Sequence, residues 1–442
     1  MARKVFISFL GTNNYLQTHY ELKGKYSPAV RFIQQALIGF LCKDWTENDS
    51  VMIFYTGGAN GSYIKNWLDN GQTFFNEDEQ IEKVGLHTTL QSMEFPMKIE
   101  SYEIVEGFSE EDIWSIFGCV YSKLQEEDEI YFDVTHAFRS IPLFSTVLFN
   151  YTRFMKNTKL VSIHYGAFEK LGPVRDVKGI PLDKRIAPIV DLTSLVDLQN
   201  TNVAASNFIE FGKVGTIARQ LDVMLSPVTK EQRKSYTAIK CLKEELEKLD
   251  SYILTCRMAD IRKGKYMKLI LEQFNKAVQS KQLLSSEKLL LEKIKGNLSA
   301  FRGEDTEENI AAAVQWAARY GMLQQAYTLG QEFIITKVCK LLQKYSPYSD
   351  DKRGQKSFRL YIGSILGIAD HAEYEGELVK YNELTDELLA VNWIRRLREY
   401  YNVLRLNRNS LNHAKGGNKS VDDLKRDFDV AYQECMEILD NQ

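Results

Sequence analysis

A compact run near the C-terminal end, Leu404-Arg405-Leu406-Asn407-Arg408-Asn409-Ser410-Leu411-Asn412-His413, holds three kinds of group suited to RNA cleavage. Arg408 is a fixed cation whose planar fork fits a phosphate. His413 can give or take a proton near neutral pH. Asn409 adds an amide that can hold His413 or the phosphate in orientation. Asn409 and His413 are four residues apart, so a continuing helix puts them on one face. Arg408 and His413 are five apart, roughly 140° around an ideal helix. They meet only if the long arginine side chain curls round, if the helix distorts, or if a second subunit completes the site. A polar helix end before the loop Lys415-Gly416-Gly417-Asn418 would carry the same letters, so the weight of the set depends on the rest of the chain.

A chain of 442 residues suffices for two or three domains and a sizeable core. The net charge of −3 excludes a globally basic nucleic-acid binder, so any such contact is local. Arg395, Arg396, Arg398, Arg405, Arg408 and Lys415 form a local patch opposed nearby mainly by Glu399. Arg405 and Lys415 flank the candidate catalytic set and are the expected RNA contacts. The six cysteines, Cys42, Cys119, Cys241, Cys256, Cys339 and Cys435, are scattered without CxxC spacing. That argues against a zinc module or a disulfide framework and fits a reducing cytoplasm. No metal site and no cofactor are expected. The N-terminus runs straight into a strand-like segment, and no apolar run is long enough to span a membrane.

Apolar patterning predicts strands over Lys4–Leu10, Val51–Tyr55, Ile99–Val105, Glu129–Val134, Leu160–Tyr165 and Ile186–Leu192. Helices are expected between them. Ser27-Pro28 reads as the cap and first turn of one running through Ile33 to Leu41. A second lies around Ile64, Trp67 and Leu68, and a looser polar insertion follows over residues 71–96. Ser109-Glu110-Glu111-Asp112 resembles a capping box opening a helix to about Leu124. Another helix starts near Ser140. Strands alternating with helices predict an α/β Rossmann-like domain with an open, mostly parallel sheet.

In such a sheet, ligands bind beyond the carboxyl ends of the strands. Three polar junctions fall there: Gly11-Thr12-Asn13-Asn14, Thr56-Gly57-Gly58 running on to Ser62, and Thr135-His136 running on to Arg139 and Ser140. Helix N-termini after such junctions suit phosphates, and Arg139 adds a cation. None has the glycine spacing of a dinucleotide fold or a P-loop ATPase.

After Leu192 the pattern turns helical. Apolar spacing predicts helices over 206–221, 229–249, 252–283, 286–298, 307–326, 330–342, 384–406 and 421–439. Residues 343–359 read as a polar loop. Asp370-His371 reads as structural rather than as a metal or acid–base pair.

With these elements in place, the chain resembles the CARF–HEPN effectors of type III CRISPR systems. The resemblance rests on the strand ending in Gly11-Thr12, on Asp133-Val134-Thr135-His136-Ala137-Phe138-Arg139, and on a helical second half carrying Arg408-Asn409-…-His413. It implies a CARF nucleotide-sensing domain over 1–195, a helical connector over 196–300 and an all-α HEPN ribonuclease domain over 301–442. The implied protein is a homodimer, with higher oligomers open. Its activator would be cyclic oligoadenylate, with cyclic tetra-adenylate the commoner ring, and its substrate single-stranded RNA, cut without a metal.

On that resemblance, His413, Arg408 and Asn409 are the catalytic residues. Gly11, Thr12, Asn13, Asn14, Thr56, Gly57, Gly58, Thr135, His136 and Arg139 bind the activator. Some relatives also cut their own activator slowly, a task that would fall here to Thr12 or His136. Two other readings stay open. One is a non-catalytic cyclic-nucleotide-sensing regulator, which would have no need of Arg408 and His413. The other is a HEPN toxin controlled by a protein partner.

Overall fold

A computed structural model describes residues 2–69, 71, 73–76, 79–136, 141–225, 233–280, 283, 285–369, 373–413 and 419–442. The chain divides into two units, Met1–Val196 and Asp197–Gln442.

The first unit is built on ten strands: β1 (Lys4–Phe9), β2 (His19–Leu22), β3 (Lys25–Tyr26), β4 (Ser50–Thr56), β5 (Thr73–Asn76), β6 (Glu79–Glu82), β7 (Lys98–Ile104), β8 (Glu129–Asp133), β9 (Lys159–Gly166) and β10 (Ile186–Asp191). Eight of them form one sheet in the order β3-β2-β10-β9-β8-β1-β4-β7. The run from β9 through β8, β1 and β4 to β7 is parallel throughout. β10 lies antiparallel to β9, and β5 and β6 form a separate two-stranded sheet. This is the mostly parallel α/β sheet that the patterning predicted.

Central strands are apolar at nearly every position because both of their faces are covered. On one face, Phe6, Val51 and Ile53 pack with Ile33 and Leu37 of the helix Ile33–Leu41. On the other, Val5, Ile7, Met52 and Phe54 pack with Ile116 and Val120 of Glu110–Lys123 and with Phe144 and Leu148 of Ile141–Lys156. The expected capping box is present: Ser109 Oγ accepts the Asp112 N–H at 3.1 Å. Part of the solvent side of Ile141–Lys156 is also apolar. Leu143 (74% exposed), Val147, Tyr151 and Phe154 (85% exposed) form one helical stripe.

Three local expectations fail here. Ser27-Pro28 does not open a helix, because residues 19–26 form the β2–β3 hairpin instead. Lys23 and Gly24, both at positive φ (52° and 79°), make its turn. Ser27 Oγ accepts the Tyr20 N–H at 2.8 Å and donates to the Pro28 carbonyl, and the helix begins only at Ile33. The supposed loose insertion holds the β5–β6 pair and a short helix, Leu86–Gln91. The helix expected around Ile64 is a single π-type turn, Tyr63–Trp67.

The second unit is helical, and its buried apolar residues from Ala204 to Leu439 form one cluster. Several predicted helices are split where a glycine takes positive φ: Gly212 after Thr193–Phe211, Gly264 between Met258–Lys263 and Lys265–Gln279, and Gly321 before Leu323–Leu341. The 384–406 pattern divides into Asn382–Ala390 and Asn392–Asn412. Much of the segment expected as a polar loop is helix, since Lys352–Gly367 starts at Asp351, whose carboxylate accepts the Gly354 N–H at 2.7 Å. Its polar first turns are the exposed part of an amphipathic helix that buries Phe358, Tyr361, Ile362 and Ile365. Asp370 and His371 lie outside the described residues. No helix among the described residues is long and apolar enough to cross a membrane.

A side chain at Gly264 would be doubly penalised. Its φ is 64°, and a Cβ there would lie 2.3 Å from the Glu304 carbonyl and 2.7 Å from that of Arg302. Gly264→Ala is expected to cost about 2 kcal/mol or more, read from chemical denaturation of the full chain.

Candidate functional site

β8, β1 and β4 are adjacent and parallel, so the junctions after all three share one sheet edge. The first loop is exposed at Thr12, Asn13 and Asn14. It is held from beneath by buried Asn66, whose amide donates to the carbonyls of Gly11 (2.8 Å) and Asn13 (2.9 Å). Arg31 donates to Asn66 Oδ1 at 2.7 Å and to the Val84 carbonyl at 2.9 Å. Lys83 Nζ donates to Asn14 Oδ1 at 2.8 Å. Burial lowers the pKa of both cations, and for Lys83 the charges of Arg31 and Lys178 lower it further. Arg31, Asn66 and Lys83 carry no motif and went unnoticed in the sequence.

Gly11 is required by close approach. A Cβ there would lie 2.4 Å from the Tyr15 hydroxyl and 3.3 Å from His136 Cβ. The Tyr15 and His136 rings pack with centroids 4.4 Å apart. Burial pushes the Tyr15 hydroxyl well up and lowers His136 to about 4. At neutral pH, His136 is therefore an uncharged imidazole.

Thr135 turns toward the protein. Its hydroxyl donates to Asp133 Oδ1 (2.5 Å) and accepts the Gly166 N–H (2.8 Å), while Ser8 donates to Asp133 Oδ2 (2.7 Å). Burial raises the Asp133 pKa, and these hydrogen bonds oppose the rise. Thr56 is also buried. It closes its loop by exchanging hydrogen bonds with Ser62, Thr56 N–H to Ser62 Oγ at 2.9 Å and Ser62 N–H to Thr56 Oγ1 at 3.0 Å. Gly58 takes a φ of 81° and is exposed. Gly57 lies against the Glu103 carboxylate, which makes this junction the least suited of the three to a phosphate. Arg139 lies outside the described residues.

In the second unit, Arg405, Arg408 and Asn409 sit on the last turns of Asn392–Asn412, and His413 closes that helix by donating its N–H to the Asn409 carbonyl at 3.0 Å. Arg408 Nη1 donates to Asn409 Oδ1 at 3.4 Å. Arg408 is half-buried, its Nε has no hydrogen-bond partner among the described residues, and His413 is exposed. No hydrogen bond joins Arg408 to His413 among the described residues. The Asn409 side chain thus meets Arg408, while its bond to His413 is the backbone bond of a helix end. Arg405 donates to Asn402 Oδ1 at 3.0 Å, and Lys415 lies outside the described residues.

The helix end is anchored by Asn407. Its amide donates to the Tyr327 hydroxyl (3.0 Å) and Asp427 (3.2 Å), and its carbonyl oxygen accepts from Lys419 (3.1 Å). Lys419 also pairs with Asp427 at 2.6 Å. This anchor was legible in part: Leu397, Tyr401, Leu404 and Asn407 continue one buried face. A polar residue at a core position needs partners. Among the described residues, no group of three His, Cys, Asp or Glu side chains is placed to hold a metal ion.

No family model matches the chain. It is 26% identical over 249 residues to the CRISPR-associated protein MJ1674 of Methanocaldococcus jannaschii. The two chains are distant relatives. The match takes in 55% of this chain and 34% of the archaeal protein, so the chain spans about a third of the length of that curated relative. The relative's name agrees with the CRISPR family that the sequence motifs resemble. A solved structure of Enterococcus italicus Csm6 bound to cyclic hexa-2'-fluoro-hexa-dAMP aligns with a TM-score of 0.44 and 13% identity, over 99% of this chain and 94% of that one.

His136 gives a pH signature. Its folded value of about 4 lies below the 6.5 of the free side chain, so on acidification the unfolded chain takes up the proton first. The stabilisation is complete above 6.5 and is lost as pH falls toward 4. His136→Gln is expected to flatten the pH dependence of unfolding in that window by up to about 3 kcal/mol, measured as the wild-type-minus-variant difference at each pH.

Proposed function

We propose that this chain is an ancillary effector of type III CRISPR defence: a cytoplasmic single-stranded-RNA endoribonuclease switched on by cyclic oligoadenylate, cyclic tetra-adenylate first among the rings. The observation that carries this reading is the presence on one chain of a three-junction parallel-sheet edge and a helix ending in Arg408-Asn409-…-His413. The CRISPR-associated relative lends it support.

The reaction is a transesterification. The ribose 2′-hydroxyl attacks its own 3′-phosphate, the bond to the 5′-oxygen breaks, and a 2′,3′-cyclic phosphate and a 5′-hydroxyl result. The nucleophile is internal, so the step calls on no metal. His413, exposed at the helix end, moves the proton, and its copy in a second subunit shares the task. Arg408 stabilises charge on the phosphorane oxygens. Asn409 holds His413 or the phosphate in orientation, and Arg405 and Lys415 hold the RNA backbone.

The activator is held at the junctions of Gly11, Thr12, Asn13, Asn14, Thr56, Gly57, Gly58, Thr135, His136 and Arg139, with Thr56 and Thr135 acting by shaping their loops. Thr12 or His136 assists slow cutting of the activator.

The apolar stripe Leu143, Val147, Tyr151 and Phe154 supports a homodimer, since an exposed patch of this kind marks a contact surface. Two subunits related by a two-fold axis would offer a cyclic ligand the same junctions twice. Leu143→Glu with Phe154→Glu is expected to yield a monomer by light scattering and to abolish activation. An unchanged dimer would remove the stripe from the interface.

The decisive assay is cleavage of a fluorophore–quencher RNA in EDTA with no activator or with cyclic tri-, tetra- or hexa-adenylate. Cleavage with one ring alone is expected. Arg408→Ala and His413→Ala are each expected to lower its rate by about 10²–10⁴-fold with activator binding intact. Wild-type turnover in either variant sinks the catalytic assignment. Cleavage regardless of ring means that the sheet edge is not the switch.

A further inference from the structure

A second charged feature of the helical unit lies away from the Arg408–His413 end. The helices Leu323–Leu341 and Lys352–Gly367 border a solvent-open groove of about 500 Å³. Lys340, Lys352, Lys356 and Arg359 line it, against one carboxylate, Glu307.

Two of the four cations are already engaged. Lys340 pairs with Glu307 at 3.4 Å. Arg359 is fixed by Thr336 Oγ1, the Glu332 carbonyl and the Glu332 carboxylate, each at 2.6 Å. Lys352 and Lys356 are exposed and have no ion pair among the described residues. The nearby carboxylate of Asp351 is occupied by the Gly354 N–H and the Ser349 hydroxyl. Like charges four apart on a helix repel, so this arrangement favours an anion between or beside them.

The spread of the cations favours a polyanion over a single phosphate. Lys340 comes from one helix, and Lys352, Lys356 and Arg359 come from the other. One helix also links it to the candidate cleavage site. Tyr327 bonds Asn407, which adjoins Arg408, and Lys340 lies thirteen residues further along the same helix, roughly 20 Å away.

We propose that the groove lined by Lys340, Lys352, Lys356 and Arg359 is an exosite for the sugar–phosphate backbone of single-stranded RNA, holding the strand at a distance from the scissile phosphate. This inference rests on the ribonuclease reading. The exosite binds without sequence preference, because it offers charge and no exposed aromatic platform for bases.

The test compares wild type with Lys352→Glu/Lys356→Glu, two exposed positions outside the catalytic set. With activator present, the variant's KM for a long unstructured RNA is expected to rise about tenfold with kcat unchanged, while KM for a tetranucleotide stays the same. The salt dependence of binding is expected to weaken by roughly 1.4 in log–log slope, for two lost contacts to a single strand. Fluorescence anisotropy with a 2′-O-methyl RNA, which cannot be cut, reads binding separately. If the wild type cuts no RNA, the ribonuclease reading fails and anisotropy still decides the groove. Equal affinity of wild type and variant for that RNA overturns the exosite, as does absence of binding by the wild type. An equal loss of affinity for duplex DNA shows a patch for any polyanion and overturns the assignment to single-stranded RNA.

Discussion

A strand buried on both faces can offer chemistry only at its ends, and β1 is such a strand. Val5, Phe6 and Ile7 are fully buried, and β8 and β4 flank it in parallel. Parallel pairing sends three chain segments out of the core at one edge, where they must turn and where backbone groups meet water. The Ser8–Asp133–Thr135–Gly166 chain of hydrogen bonds ties the exits of β1, β8 and β9 together. An uncompensated carboxylate at Asp133 would be costly, so these bonds keep the edge in one arrangement.

The same edge divides its residues into two kinds. Thr56 and Thr135 spend their hydroxyls on Ser62, Asp133 and Gly166, and act by shaping the loops. Thr12, Asn13 and Asn14 stay exposed, on a loop underpinned by Asn66 and Arg31 and contacted by Lys83. Lys83 comes from the segment just after β6, so an insertion without a strong pattern of its own supplies a cation to the loop.

In the helical unit, the corresponding constraint is Asn407. A buried amide one residue before Arg408 must find partners, and it finds them on two other helices and at Lys419. The register of the Asn392–Asn412 helix is thereby fixed at the turn that carries Arg408 and Asn409. An ideal helix separates Arg408 from His413, and the chain shows no hydrogen bond between them among the described residues. The Asn409 side chain accepts from Arg408, and the His413 N–H closes the helix on the Asn409 backbone carbonyl.

The sequence alone carried the parallel sheet, the capping box at Ser109 and the helical second half. Each of these is written in a local period or cap that depends on few neighbours. It also carried the candidate residues, because residue type and spacing state what chemistry a group can do. It misread Ser27-Pro28, where the Lys23-Gly24 turn and hairpin pairing outweighed a helix-start signal. It ran helices through Gly212, Gly264 and Gly321, because apolar spacing continues across a break that only backbone φ reveals. Tertiary structure alone decided that Thr135 faces inward, that burial holds His136 uncharged, and that Arg31, Asn66, Lys83 and Asn407 support the candidate sites. Those properties come from burial and from partners far away along the chain, which no local pattern encodes.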